Sequence, residues 1–262
     1  MKYARIFAVH FEDAFEQRAK SFVFFLMSFI NPLVALLFWQ GAFQKNSIIG
    51  GWTQPEIQSY YLLLMVAQAM LIAHVEYPVA HYDIKEGNMA SQLLKPERYI
   101  VLKFFLEVPW RLTQGAFAIT AIMLITFFTA RPLTVAPDMI FFALVSALLG
   151  FFVGFVFKMA IGLIAFFITD ISAILELNDM MLLLLSGILM PVILLPDSIA
   201  NISAFTPFPY IVYWPIAILI GKASLDQTMS SIGIQIIWII GLYIVYKLLW
   251  KYGVRKYSGV GQ

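Results

Sequence analysis

Six of the stretches that run for sixteen residues or more without a charged side chain read as membrane spans, and they constrain the fold more than any other feature. They cover residues 21–43, 57–75, 112–130, 139–157, 180–195 and 227–246. A helix needs about 20 apolar residues to cross ~30 Å of hydrocarbon. In oil the backbone must satisfy its own polar groups, and a helix does so within one segment. Hydrophobic residues make up 61% of the 262 and charged residues 12%, against ~45–50% and ~25% in soluble domains. A soluble fold has too little polar surface here to cover such a core. The expected fold class is therefore all-α: a polytopic membrane protein with six transmembrane helices.

The placement of Lys and Arg sets an expected orientation. Four fall in the N-terminal segment (Lys2, Arg5, Arg18, Lys20), five in the second loop (Lys85, Lys95, Arg98, Lys103, Arg111) and four in the tail (Lys247, Lys251, Arg255, Lys256). Lys158 falls in the fourth loop, while the first, third and fifth loops hold only Lys45, Arg131 and Lys222. Cations collect on the cytoplasmic side, so both termini are expected inside. The first run is not expected to be a signal peptide, being longer than such an apolar core and preceded by Glu12, Asp13 and Glu16. Residues 159–169 are apolar but too few to cross, and are expected to continue the fourth helix or form an inner hairpin.

Two units are expected. Residues 1–20 place Tyr3, Phe7, Phe11 and Phe15 at four-residue intervals, as in an amphipathic helix lying at the membrane surface. Residues 21–262 form the transmembrane domain. Its longest polar stretch is the cytoplasmic loop 81–103, where Gly87-Asn88 and Pro96 are breakers and 89–94 spans one or two helical turns. Glu107 and Arg111 stand four apart in the favourable order and are expected to be a structural pair. Gly150 and Gly154 stand four apart in the fourth run, a spacing that lets elements approach closely. Pro32 follows Asn31 in the middle of the first run, where proline removes a helix hydrogen bond. Five of the twelve prolines fall in 186–221. Residues 197–221 there are expected to dip into the membrane from outside and return, because broken backbone at that depth needs protein or water around it.

Groups that carry chemistry are scarce. There is no cysteine, and His10, His74 and His81 lack metal-ligand spacing. A net charge of +2 implies no broad basic surface for nucleic acid. No GxxxxGK[ST] loop, GxSxG elbow or HExxH helix occurs, so no catalytic or metal residue is expected. His74, Glu76, Asp170, Glu176 and Asp179 end or separate the runs and are expected at the inner boundary, where water lowers their cost. No charge stands in the middle of a run, which counts against a proton-coupled carrier.

The residues resemble one known family. Asp83-Ile84, Gly87, Leu93-Leu94 and Pro96 look like the conserved cytoplasmic loop of permease subunits of bacterial type-2 ABC exporters. Ser186-Gly187, Pro191 and Pro196 are similar to that family's ending of the fifth span, and Pro207-Phe208 and Pro215 to its outer re-entrant segment. The basic, Gly-ended tail 253–261 fits as well, whereas the acidic stretch around Asp170 adds little. The resemblance covers nearly the whole chain. It implies a permease lining half of an export pathway in a bacterial plasma (cytoplasmic) membrane, paired with an identical or homologous permease. It implies two copies of an ABC ATPase, gripping the loop 81–103 and carrying the ATP and Mg that this chain does not. In it, Gly187, Pro191, Pro196, Pro207, Phe208 and Pro215 belong to the outer re-entrant gate. Two other classes share the span count: a membrane scaffold or assembly protein without transport, and a secondary carrier or channel. Co-purification without an ATPase favours the first, and vanadate-insensitive, gradient-driven transport the second.

Overall fold

The computed structural model describes residues 2–16, 18–45, 47–129 and 132–257. The chain opens with α1 (Lys2–Glu16) and α2 (Arg18–Ala42), followed by a short antiparallel hairpin, β1 (Ile48–Ile49) and β2 (Trp52–Thr53). α3 (Gln54–Leu71) leads through a non-helical break into a π-helical stretch, Pro78–Lys85, and then α4 (Met89–Leu93). α5 (Tyr99–Thr129), α6 (Ile140–Leu163) and α7 (Ser172–Leu185) follow. Three short helices, α8 (Asp197–Ala204), α9 (Phe208–Ile211) and α10 (Tyr213–Leu219), precede the long α11 (Leu225–Lys256).

Three helical segments among the described residues are long and apolar enough to cross a membrane: Tyr99–Thr129, Pro137–Phe166 and Leu225–Lys256. The middle one contains α6 and is the most buried of the three. It forms the axis of the molecule, with α11, α10, α9, α3 and the π-helical stretch packed around it. The core runs through Ile57, Tyr60, Tyr61 and Leu64 of α3, Val153, Phe155 and Met159 of α6, and Ile211, Val212 and Ile216 of the short helices. Large apolar side chains also point outward, among them Leu37 and Phe38 of α2, Phe127 and Phe128 of α5, and Ile237 and Ile240 of α11. A soluble surface does not carry such faces in quantity.

Local sequence explains the element ends. Ser224 caps α11: its Oγ accepts from the Gln227 amide at 3.2 Å, and its own amide donates to Gln227 Oε1 at 3.0 Å, a reciprocal capping box. Pro32 lies inside α2. Residues 159–163 continue α6, and a 3-10 turn, Ile164–Phe166, finishes it, the first of the two expected arrangements. Four differences from the sequence expectation matter for function. α3 stops at Leu71, short of the end of its run, with Ile72 extended (φ −88°, ψ 101°). α5 begins at Tyr99, so Lys103 and Arg111 lie inside a helix rather than in the loop. Lys158, expected in a loop, lies inside α6. α7 ends at Leu185, and residues 186–195 unwind instead of completing a helix. In α1 the Phe7 and Phe11 rings stack at 6.0 Å, and the helix runs beside α5. The side chains of Tyr3 and Phe15 lie outside the described residues, as does the tail beyond Tyr257.

Candidate functional site

The residues of the loop 81–103 singled out from the sequence fall into two sets. Asp83 and Ile84 are buried and form an anchor. The Asp83 carboxylate accepts from the Tyr99 hydroxyl and pairs with Lys103, both on α5. The Tyr99 ring stacks on Trp250 of α11, with centroids 4.7 Å apart. Lys85 donates to the carbonyl of Ile168, beyond the end of α6. Gly87 makes the turn, and its carbonyl accepts from the Tyr257 hydroxyl at 2.7 Å. Met89, at the start of α4, is fully buried. The second set points away: Leu93 is 41% exposed and Leu94 87%, and Pro96 is exposed beside them. A charged pair and a buried methionine thus hold the foot of a loop whose tip presents two leucines.

Behind this loop, residues 72–77 join α3 to the π-helical stretch without regular structure at the start. A helix end leaves carbonyls unpaired and a break leaves amides unpaired. Both are served from α5. Glu107 and Arg111 form the expected pair, with Nε and Oε1 2.8 Å apart. Glu107 Oε1 also accepts from the His74 amide at 2.8 Å, and Arg111 Nη1 reaches the Ala69 carbonyl at 3.4 Å. The pair read from the sequence as structural fastens the break.

The glycine and prolines singled out from the sequence between 187 and 215, with Phe208, surround a second set of breaks. Gly187 takes φ +93° as α7 unwinds, a conformation that a side chain disfavours. A Cβ there would stand 2.5 Å from the Tyr60 hydroxyl. That hydroxyl donates to the Gly187 carbonyl at 2.7 Å, while Tyr61 donates to Leu189 at 2.8 Å and itself accepts from Trp39 Nε1 at 2.9 Å. Ser203 of α8 donates to the Leu185 carbonyl at 2.6 Å. Pro191 precedes the 3-10 turn Val192–Leu194, Pro196 precedes α8 and Pro207 precedes α9, each where a missing amide is harmless. Phe208 packs edge-on against Phe157 of α6 at 5.4 Å, and Pro215 is buried in α10. α9 and α10 are separated at Val212 (φ −122°, ψ −53°). The Tyr210 carbonyl at that break accepts from Gln235 Nε2 of α11 at 2.7 Å.

The two broken regions meet on one stripe of α6. A Cβ on Gly150 would stand 2.8 Å from the Ile211 carbonyl oxygen and 2.9 Å from that of Tyr210. A Cβ on Gly154 would be 3.4 Å from both the Ile211 side chain and the Leu71 carbonyl oxygen. One turn further, Lys158 pairs with Glu76, and neither side chain is accessible. One turn beyond that, Gly162 packs against Val79 and the Glu76 carbonyl. The sequence showed the first two glycines only as a spacing that favours close approach. It gave no sign that broken backbone, rather than a second helix, rides on them. The Glu76–Lys158 pair was missed because the two residues lie far apart in the chain, each at the end of a run.

These features define a multi-pass helical membrane protein whose polar interior serves to hold broken helices. A family model described as ABC-2 family transporter protein matches residues 29–261, and the chain belongs to that family. It is a membrane permease of an ABC transporter, a transport component and not itself the catalytic one. No curated protein gives a significant match to the chain.

Proposed function

We propose that the chain lines half of an export pathway, crossing a bacterial plasma membrane six times with both termini in the cytoplasm, and that a separate ATPase subunit drives it by gripping residues 81–103. A second permease, identical or homologous, completes the pathway, and two ATPase subunits bind below with their ATP and Mg. The observation that carries this reading is the construction of the loop. Its tip exposes Leu93 and Leu94, while its foot is tied by Asp83 to Tyr99 and Lys103. A push on the tip therefore reaches α5 and α11 instead of dissipating in a slack connector. The chain has no phosphate-cradling motif of its own, which is why the ATPase is assigned to a partner. Residues 197–221, with Gly187 and Pro191 ahead of them, form the outer gate in this reading, and residues 1–20 the surface helix.

The double substitution Leu93→Glu, Leu94→Glu tests the loop. Both side chains are exposed, so the permease itself should fold normally. Burying a leucine contributes about 1.5–3 kcal/mol, so losing both should weaken ATPase capture in a detergent pull-down by at least about tenfold. Undiminished capture together with unchanged ATP coupling would remove the docking assignment.

A further inference from the structure

Lys158 is a cation inside α6, which belongs to the most buried of the three long apolar segments, and it faces two carboxylates on two different segments. Its Nζ bonds Glu76 Oε1, in a pair closed to solvent. Asp179 Oδ1 of α7 lies 3.7 Å from the same Nζ, and that side chain is 47% exposed. Glu76 stands just before the π-helical stretch that leads to the loop tip. Asp179 stands on the helix that unwinds at Gly187 toward the outer prolines. Tyr77, adjacent to Glu76, donates to Asp179 Oδ2 at 3.2 Å, and Asn178 Nδ2 donates to Oδ1 at 3.1 Å. Glu76 is held on one oxygen: its buried Oε2 accepts no bond from another residue.

We propose that Lys158 is a positioning residue that exchanges its carboxylate partner, from Glu76 to Asp179, when the inner loop is driven, and so carries loop movement to α7. This rests on the ATP-driven reading above. An ammonium left alone in an apolar interior is strongly disfavoured, and removing one partner of a buried pair leaves that penalty behind. A second carboxylate already near contact avoids it, because Lys158 needs a shift of only about 1 Å to reach hydrogen-bonding distance of Asp179. Glu76 can then move with residues 76–85 while the cation in α6 stays paired. The exchange makes two discrete arrangements of packed elements, the kind of bistability through which small shifts at one end become larger ones at the other.

Two experiments test this. The first needs only the purified full chain in detergent and its melting temperature. Asp179→Asn alone should change little, and Glu76→Gln should lower the midpoint modestly, because Lys158 falls back on Asp179. The double variant should fall by several degrees more than the sum of the two. Additive effects would overturn the exchange, because they mean that Asp179 does not take up the cation. The second uses the complex with its ATPase. The chain has no cysteine, so a single Ile193→Cys, at a position 62% exposed, reports on the outer segment through its rate of maleimide labelling. Trapping with ATP and vanadate should change that rate in the parent, in Asp179→Glu and in the control Glu176→Gln, but not in Asp179→Asn. An unaltered response in Asp179→Asn would overturn the exchange alone. No response in the parent would overturn the ATP-driven reading and the exchange with it.

Discussion

One methyl group should separate two glycines that look interchangeable in the sequence. Gly150 and Gly154 lie one turn apart on α6, and both face Ile211. At Gly150 an added Cβ meets two backbone carbonyl oxygens, at 2.8 and 2.9 Å, which cannot rotate away. Gly150→Ala should cost about 1–3 kcal/mol through overpacking. At Gly154 the nearest atoms are 3.4 Å away, an ordinary contact, and alanine is the better helix former by about 1 kcal/mol. Gly154→Ala should therefore melt within a few degrees of the parent in detergent, whereas Gly150→Ala should melt clearly lower. Equal midpoints would contradict the close approach at the break. The spacing of these glycines was legible because it follows from helix geometry alone. Their partner was not, because it comes from residues some sixty positions away.

Among the elements, the β1–β2 hairpin and the first turn of α3 form a small polar latch. The Glu56 carboxylate accepts from the Thr53 amide at 2.8 Å and pairs with Lys222 at 2.7 Å. Lys222 also donates to the Gly51 carbonyl at 3.0 Å and sits over the Trp52 ring. Glu56 lies ahead of the uncharged run. Its partial burial raises its pKa, but the bonds from Lys222 and Thr53 outweigh that and hold the carboxyl below its ordinary value of 4.5. A group depressed on folding contributes stability that is complete above its unfolded value and is lost as pH falls through the folded one. Melting midpoints should thus be insensitive to this group at neutral pH and fall below about pH 4.5. Glu56→Gln should start lower at neutral pH and lack that part of the fall. A Glu56→Gln profile parallel to the parent's would show that the latch contributes nothing. Pairs such as this, and Asp83 with Lys103, were not legible in sequence order. Glu107 and Arg111 were, because one helical turn joins them.

For the whole molecule, the distribution of cations makes a prediction that the Cys-free chain is suited to test. Lys45 is expected outside and Lys251 inside, and both side chains are exposed. In intact cells, Lys45→Cys should react with a membrane-impermeant maleimide, and Lys251→Cys should react only after permeabilisation. The reverse pattern would invert the orientation and move the loop 81–103 to the wrong side for any cytoplasmic ATPase. The three longest apolar helical segments, all within the matched region, bear out a multi-pass membrane protein by themselves. Two of the other uncharged runs are interrupted, where α3 stops before Ile72 and α7 before Ser186, so a count of uncharged runs and a count of long apolar helices differ here.

The sequence by itself determined the solvent this chain lives in, its helical class and the place of its breakers. Uncharged length, backbone satisfaction in oil and the conformational limits of proline and glycine act within one segment and need no partner. It also marked the loop with a leucine tip, because polar runs between apolar ones stand out. Only the tertiary structure decided where each break is satisfied. It set α3 and α9–α10 against one face of α6, gave Tyr60, Gln235 and Glu107 their carbonyls and amides, and buried Glu76 on Lys158. Those contacts join residues many positions apart. Their energy depends on which groups meet after packing, and linear spacing does not contain that information.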